Sequence, residues 1–203
     1  MIALVVTGGI ATGKSTFCRE LRTAVADSIL FDCDRSVHAL LTTPDIIAKV
    51  KKLFGESVLD ESGEIDRSQL RDQVFKHLTL KRALEQLLHP EVRRLCNEAR
   101  LQALEHLNLR IFVADVPLFF ENHFPMKHDF VLTVATTQNT QMARLLRRSP
   151  HLSQCAAEKI IDAQLPISKK VAASDFVIWN DGAPASMKRQ LELFLLWMDL
   201  HNK

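Results

Sequence analysis

Cysteine is scarce in this sequence: there are four cysteines among 203 residues, far apart and without any C-x-x-C pair. Such spacing excludes a zinc ribbon or a disulfide framework and favours a reducing compartment. The eight histidines also lack the spacing of metal ligands. Excess charge is missing as well, since the formal net charge is +2. The composition therefore gives no reason to expect nucleic acid or an anionic membrane as a partner.

Long hydrophobic runs are absent too. The run at 193–198 ends at Asp199 and is far shorter than the ~20 residues that a membrane-spanning helix needs. The apolar run at 2–7 is too short for the core of a signal peptide, and no basic segment precedes it. We therefore expect a cytoplasmic protein. The sequence does not give its oligomeric state, and a monomer is favoured.

What the sequence does contain is the phosphate-binding pattern G-x-x-x-x-G-K-[ST] at residues 8–15. The apolar, β-branched residues 2–7 before it are typical of a buried strand, and Phe17, Leu21 and Val25 after it have the spacing of one helix face. The plain alternative is a glycine turn that binds nothing. The combination of strand, loop and helix favours a nucleoside triphosphate site.

The residue types of this loop suit the chemistry. Gly8 and Gly13 allow backbone angles that gather successive N–H groups on one concave side. The first turn of the following helix adds N–H groups that have no partner within the helix. Lys14 supplies a positive charge for the β- and γ-phosphates, and Ser15 supplies a hydroxyl for Mg²⁺. We predict a bound nucleoside triphosphate with Mg²⁺.

The order of elements predicts one α/β domain over residues 1–203. Its five strands are expected at 2–7, 28–31, 110–115, 130–135 and 176–180. The mostly helical stretch between the second and third strands is longer than a crossover needs. We predict a core (1–34, 109–136 and 172–203), a helical substrate-binding insertion (35–108) and a lid (137–171).

Within the insertion, the sequence predicts three main helices. The first ends at Gly55, and the second is capped by Asp66 and turns Phe75 inward. The third is long and is opened by His89-Pro90, because proline is favoured in a first helical turn.

Outside the loop, three features carry candidate chemistry. Asp34 follows the second predicted strand, where it can receive or orient an acceptor hydroxyl or, alternatively, cap the next helix. Asp115 ends the third predicted strand and can hold Mg²⁺ through water. Arg144, Arg147 and Arg148 share a predicted helix, either as a lid that closes on phosphates or as an ordinary solvated face.

The ordered set of motifs resembles the dephospho-coenzyme A kinases, a P-loop family of the nucleoside-monophosphate-kinase-like group, from residue 2 to about 195. The phosphate loop is shared with many families, whereas the D-x-D, H-P and V-P-L-x-x-E segments together are specific. The matching segments are T-G-G-I at 7–10, G-K-S-T at 13–16, D-C-D at 32–34, F-G at 54–55, G-E-I-D-R at 63–67, L-H-P at 88–90, D-V-P-L at 115–118 with Glu121, Arg144 with Arg148, A-Q at 163–164 and N-D-G at 180–182.

The resemblance implies a three-layer P-loop NTPase fold, in which helices flank a five-stranded parallel sheet and form a substrate lobe and a lid. It implies ATP-dependent phosphorylation of the 3′-hydroxyl of the dephospho-CoA ribose, the last step of CoA biosynthesis, with CoA and ADP as products. The implied roles are as follows: catalysis by Asp34, Lys14 and Arg144; ATP binding by Ala11, Thr12, Gly13, Lys14, Ser15, Thr16, Arg148 and Asn180; acceptor binding by Asp34, Arg67, His89, Pro117 and Leu118; and Mg²⁺ binding by Ser15 and, through water, Asp115.

Without the resemblance, the simpler interpretation of His89 is a loop or cap residue. The simpler interpretation of Arg67 is a residue in the first turn of a helix. Three positions depart from the family pattern: Ala11-Thr12 stands where Gly-Ser is usual, Ser149 where Asp is common, and Lys159 where Arg is more frequent. Lysine keeps the charge of arginine but not its planar fork.

Three other functions stay open from the sequence. One is a degenerate kinase that binds ATP without turnover, because of the changes in its lid. A kinase with another nucleotide or a small alcohol as acceptor would have the same loop. A nucleotide-sensing switch would need the guanine motif Asn-Lys-x-Asp, and the only Asn-Lys pair is Asn202-Lys203.

Overall fold

A computed structural model describes residues 1–122 and 124–201, and the Asn202-Lys203 pair lies outside them. The described chain contains five strands, nine α-helices and a short 3₁₀ turn at Glu56–Val58. In chain order the elements are β1 (Ile2–Gly8), α1 (Lys14–Ala24), β2 (Ser28–Asp32), α2 (Cys33–Leu40), α3 (Pro44–Phe54), α4 (Arg67–Lys76), α5 (Leu78–Leu104), β3 (Ile111–Asp115), β4 (Phe130–Ala135), α6 (Gln138–Arg148), α7 (Gln154–Asp162), α8 (Ile167–Ala172), β5 (Phe176–Trp179) and α9 (Pro184–His201).

The five strands form one parallel sheet in the order β2-β3-β1-β4-β5, which confirms the predicted fold class. β1 is the central strand and is buried along its whole length, as its apolar sequence requires. Val6 pairs with Asp115 of β3, and Gly8 pairs with Val134 of β4. This register brings the start of the phosphate loop and the acid that ends β3 to the same edge of the sheet.

Helices α1 and α9 cover one face of the sheet. Phe17 and Leu21 of α1 and Phe194 of α9 are fully buried in the main core, as the spacing after the loop predicts for the first helix. The rings of Phe17 and Phe194 meet edge to face, with centroids 6.5 Å apart. Burial of these side chains is what anchors α1, and with it the end of the phosphate loop.

The chain divides into two compact units, and the second unit is Asp32–Glu98. In this unit, Gly55 ends α3 with a φ of 82°, and the Asp66 carboxylate caps α4 by accepting the N–H groups of Ser68 and Gln69. Both helix boundaries are as predicted. Among the described residues, no helix is long and apolar enough to cross a membrane.

Two expectations for this unit were wrong. Phe75 is 74% exposed, because α4 buries only Leu70 and its last turn meets no core. Pro90 lies inside α5, which begins at Leu78. A proline removes one backbone hydrogen bond from a helix. The burial of Leu88 and Val92 on either side of it holds α5 continuous.

Candidate active site

The phosphate loop joins β1 to α1 and contains two residues in the left-handed region. Gly13 has a φ of 92°, and Ala11 has a φ of 59°. The fully buried Thr12 braces the loop, since its hydroxyl donates to the Gly9 carbonyl at 2.9 Å. Positive φ values at 11 and 13 turn the chain tightly enough to lead directly into α1.

Two glutamines hold the peptide groups of Ile10. Gln141 Nε2 donates to the Ile10 carbonyl at 2.8 Å, and Gln164 Oε1 accepts the Ile10 N–H at 2.8 Å. The side chains of Ile10 and Ala11 also pack against the small core that α6 and α7 share. The loop is therefore built onto the α6–α7 pair on this side.

The Thr12 carbonyl is held from a second side. Asn180 Nδ2 donates to it at 2.8 Å, and Arg144 contacts it at 3.4 Å while donating to the Asn180 carbonyl at 2.8 Å. A peptide group is planar and trans, so turning this carbonyl outward directs the Gly13 N–H to the opposite side. Of the three arginines predicted for the lid, Arg144 reaches the loop, whereas Arg147 and Arg148 are exposed.

The N-terminus of α1 is suited to an anion. Gly13 is its N-cap and offers no side-chain acceptor, and the first turn contains no acidic residue. The first N–H groups and the positive end of the helix dipole are thus left for a ligand. Ser15 and Thr16 in this turn are exposed.

The Lys14 ammonium contacts the carboxylate of Asp115, which is 4% exposed. Cys18 also faces this carboxylate, with its Sγ 3.7 Å from Oδ2. A lysine on a flexible stem can exchange one oxygen partner for another with little change in the backbone. The contact with Asp115 thus holds the Lys14 ammonium next to the phosphate loop, within the same unit.

A cavity of about 330 Å³ adjoins the loop and the N-terminus of α1. Gly13, Arg144 and Asn180 line one part of it, and Gly182 and Pro184 line another. It has the size of a small-molecule pocket. Nearby, the Asp181 carboxylate accepts the Thr137 N–H at 3.0 Å, joining the β5–α9 turn to the start of α6. Burial raises the pKa of Asp181, but hydrogen bonds from Thr140 and Thr137 outweigh burial and hold it below the usual value.

The segment after β3 is tied to the end of β1. Thr7 donates its hydroxyl to the Pro117 carbonyl at 3.2 Å, and both Pro117 and Leu118 are partly exposed. These two predicted acceptor residues therefore lie next to the phosphate loop in the same unit.

The other predicted acceptor residues belong to the unit Asp32–Glu98. Asp34 lies in the first turn of α2, exposed and without a hydrogen bond to any described side chain or backbone group, because the helix is capped by Asp32, which accepts the Arg35 N–H at 2.9 Å. Arg67 is exposed at the start of α4. His89 is half-buried inside α5, and its burial lowers the pKa of the imidazole.

Three residues that contact the loop were not predicted from the sequence: Gln141, Gln164 and Lys170, whose side chains hold Ile10 and Gly8. Gln164 does lie in one of the segments shared with the family. Gln141 and Lys170 carried no signal, because a polar residue on an amphipathic helix is usually assigned to the solvent side. Both are buried.

Comparison with known proteins agrees with this geometry. The profile of the dephospho-CoA kinase family matches residues 2–186. The dephospho-CoA kinase of Staphylococcus epidermidis is 36% identical over 190 residues, which are 94% of this chain and 92% of that protein. A crystal structure from Thermus thermophilus superposes with a TM-score of 0.78 at 29% identity, covering 97% of both chains. The dephospho-CoA kinase of Campylobacter jejuni superposes with a TM-score of 0.65 at 25% identity, covering 97% of this chain and 96% of that one.

A P-loop, a parallel five-stranded sheet and a family match over nearly the whole chain lead to the same conclusion. This chain belongs to the dephospho-CoA kinase family, whose members catalyse the final, ATP-dependent step of coenzyme A biosynthesis.

Proposed function

We propose that this chain transfers the γ-phosphoryl group of ATP to the 3′-hydroxyl of the dephospho-CoA ribose, and that the residues of the phosphate loop act on the donor. The observation that carries the proposal is the open N-terminus of α1, with the Lys14 ammonium beside it and no acidic residue in its first turn. The N–H groups of residues 11–16 bind the β- and γ-phosphates. Lys14 exchanges Asp115 for phosphate oxygens when ATP binds.

The remainder of ATP occupies the cavity next to the loop. Asn180 and Arg144 line it, and Pro184 offers an apolar surface for a base. Arg144 already contacts the loop, so its guanidinium needs only a small movement to reach a phosphate oxygen. Arg148, one helical turn further on, adds positive charge when the lid closes. Transferring phosphoryl groups carry charge on their equatorial oxygens, and two arginines together with Lys14 neutralise it.

Mg²⁺ fits this site through oxygen ligands. The exposed hydroxyl of Ser15 is a hard donor of the kind that Mg²⁺ prefers, and the Asp115 carboxylate can hold a coordinated water once Lys14 has turned to the phosphates. The described residues contain no cluster of three or more His, Cys, Asp or Glu side chains that could hold a metal ion by themselves. That composition suits Mg²⁺, which binds through one or two protein ligands and the phosphates of its nucleotide. When bound, the ion would supply positive charge that neutralises phosphate oxygens of the nucleotide.

On the acceptor side, Asp34 orients the 3′-hydroxyl and accepts its proton. Its carboxylate is exposed and is not occupied as a helix cap, which leaves both oxygens for substrate. Arg67, His89, Pro117 and Leu118 bind the rest of dephospho-CoA. Because the transition state of phosphoryl transfer is loose, orientation contributes more than abstraction of the proton.

We further propose the division into core (1–34, 109–136 and 172–203), insertion (35–108) and lid (137–171). The insertion holds the acceptor, and the lid carries Arg144 and Arg148. The protein acts as a cytoplasmic monomer on a small-molecule substrate, without nucleic acid or membrane.

A coupled assay of ADP release tests the proposal. The purified chain is given ATP and Mg²⁺ with dephospho-CoA, and in parallel with nucleoside monophosphates, shikimate and small alcohols; mass spectrometry then identifies each product. We expect rapid ADP release with dephospho-CoA alone among these acceptors, and a product with the mass of CoA. Preference for another acceptor would refute the assigned substrate. ATP binding without turnover on any acceptor would instead indicate a degenerate kinase that binds the nucleotide without transferring its phosphoryl group.

A further inference from the structure

The fully buried Lys170 contacts the start of the phosphate loop, and the proposed function does not use it. Its ammonium donates to the Gly8 carbonyl at 3.1 Å and lies 2.7 Å from Oε1 of Glu121. Its side chain has no exposed surface. A buried charge is costly unless it is paired and hydrogen-bonded, so these two oxygens determine where the ammonium lies.

Glu121 is the second member of this pair. Its Oε1 also accepts the Leu165 N–H at 3.0 Å, while its Oε2 is buried and accepts no hydrogen bond from the described residues. The ammonium of Lys170 therefore balances the charge of this carboxylate. A buried ion pair of this kind adds little net stability compared with apolar side chains of the same shape. Its main effect is on geometry.

Lys170 lies on α8 and Glu121 follows β3. Their contacts connect these two segments to the end of β1 and to the loop between α7 and α8, all within the same unit. Leu165, held by Glu121, directly follows Gln164, which accepts the Ile10 N–H. On the other side, Thr7 donates to the Pro117 carbonyl. The segment 117–121, which contains the proposed acceptor residues Pro117 and Leu118, is thus connected through side chains to residues 7, 8 and 10 at the start of the phosphate loop.

These contacts constrain the direction in which the loop leaves β1. Because a peptide group is planar, a donor that fixes the Gly8 carbonyl also fixes the orientation of the Gly9 N–H. Phosphoryl transfer needs the donor and acceptor atoms to be held close to ~3–3.5 Å apart, so a small rotation at this point is costly for the rate.

We propose that Lys170 and Glu121 form a positioning pair, which holds the phosphate loop and the acceptor segment 117–121 in the relative arrangement that phosphoryl transfer requires. The inference rests on the proposed function. It adds two residues that touch neither substrate and that act through Gly8 and through Gln164.

Three variants test the pair. Lys170→Met removes the ammonium and keeps the length of the side chain, the double variant Lys170→Met/Glu121→Gln removes both charges, and Lys169→Met is the control on an exposed neighbour. Each is measured for thermal stability, for the Kd of ATP by calorimetry, and for kcat and both KM values in the ADP-release assay.

We expect Lys170→Met to be less stable than wild type, since it leaves the Glu121 carboxylate, whose Oε2 is buried, without its ammonium. The double variant regains stability, because no buried charge is left, but its Kd for ATP stays raised about tenfold or more and its kcat stays low. Lys169→Met behaves as wild type. If the pair served stability alone, the double variant would instead regain both stability and normal ATP binding.

A double variant that binds ATP and turns over as wild type would overturn the inference. A double variant that fails to fold would overturn it too, because the pair would then serve fold stability. If wild type itself binds no ATP, the proposed function fails; if wild type binds ATP and the double variant is unimpaired, only the positioning inference fails.

Discussion

Gly13→Ala tests the geometry of the phosphate loop most directly. Gly13 has a φ of 92°, and a Cβ at this position would overlap Asn180 Nδ2. A left-handed alanine costs about 1–2 kcal/mol, and the lower entropy of the unfolded variant offsets about 0.4–1 kcal/mol of this. Displacing Asn180 removes its 2.8 Å hydrogen bond to the Thr12 carbonyl, worth about 1 kcal/mol. We therefore expect about 2 kcal/mol of destabilisation.

The steric and backbone costs can be separated. Gly63→Ala is the matched control, since Gly63 has a φ of 81° and no heavy atom lies within 4 Å of its added Cβ. It should lose about 1 kcal/mol, from the backbone alone. At this chain length Tm falls by about 2–4 °C per kcal/mol, so Gly13→Ala should melt about 4–8 °C below wild type and Gly63→Ala about 2–4 °C below it.

A double-mutant cycle with Asn180→Ala completes the test, measured by urea unfolding without nucleotide. Gly13→Ala already breaks the contact that Asn180→Ala removes, so the double variant should be no less stable than Gly13→Ala alone. Strictly additive losses, or equal losses for Gly13→Ala and Gly63→Ala, would refute the idea that Asn180 is packed against the loop. Calorimetry should also show weaker ATP binding by Gly13→Ala and normal binding by Gly63→Ala.

Three further predictions concern charge. Lys14→Met should lower kcat at least about 100-fold. It should also lower the free energy of unfolding by about 3 kcal/mol, because it removes the ammonium beside the buried Asp115. Adding Asp115→Asn should restore stability but not turnover, and recovery of turnover would contradict the role of Lys14. Asp34→Asn should lower kcat at least about 100-fold with little change in Tm. Asp72→Asn, at another exposed position, should change neither, and near-normal CoA formation by Asp34→Asn would remove Asp34 from the mechanism. Burial lowers the pKa of His89 in the folded protein, so the imidazole binds a proton more readily in the unfolded chain. The stability of wild type should therefore fall as the pH drops through about 6.5. When urea unfolding is compared at pH 7 and pH 5, His89→Gln should lose less stability than wild type, and equal losses would exclude His89 as the cause.

The local signals of the chain determined much of its architecture. β1, the loop at 8–15 and the apolar face of α1 are contiguous, so hydrophobic periodicity and glycine placement were enough to predict them. The end of α3 at Gly55 and the start of α4 after Asp66 were also predicted from local signals, since each depends on a turn or cap within a few residues. The motifs were also sufficient for the family, because their order is a property of the sequence alone.

Where a local signal conflicted with packing, packing prevailed. Pro90 looked like a helix start, yet the buried side chains on either side of it keep α5 continuous from Leu78. Phe75 looked like a core residue, yet no neighbour covers it. The short helix α8 was missed because its six residues contain too few turns for a periodic pattern.

The sequence by itself therefore determined the fold class, the phosphate loop and the family, because each is encoded by residues close together in the chain. Only the tertiary structure decided which side chains hold the loop: Gln141, Asn180 and Lys170 reach Ile10, Thr12 and Gly8 across more than 130 positions of sequence. The physical reason is that what a buried polar side chain does depends on the backbone group to which it forms a hydrogen bond. Which hydrogen bond forms depends on how α6, α8 and β5 pack around β1, and no local sequence pattern predicts that packing.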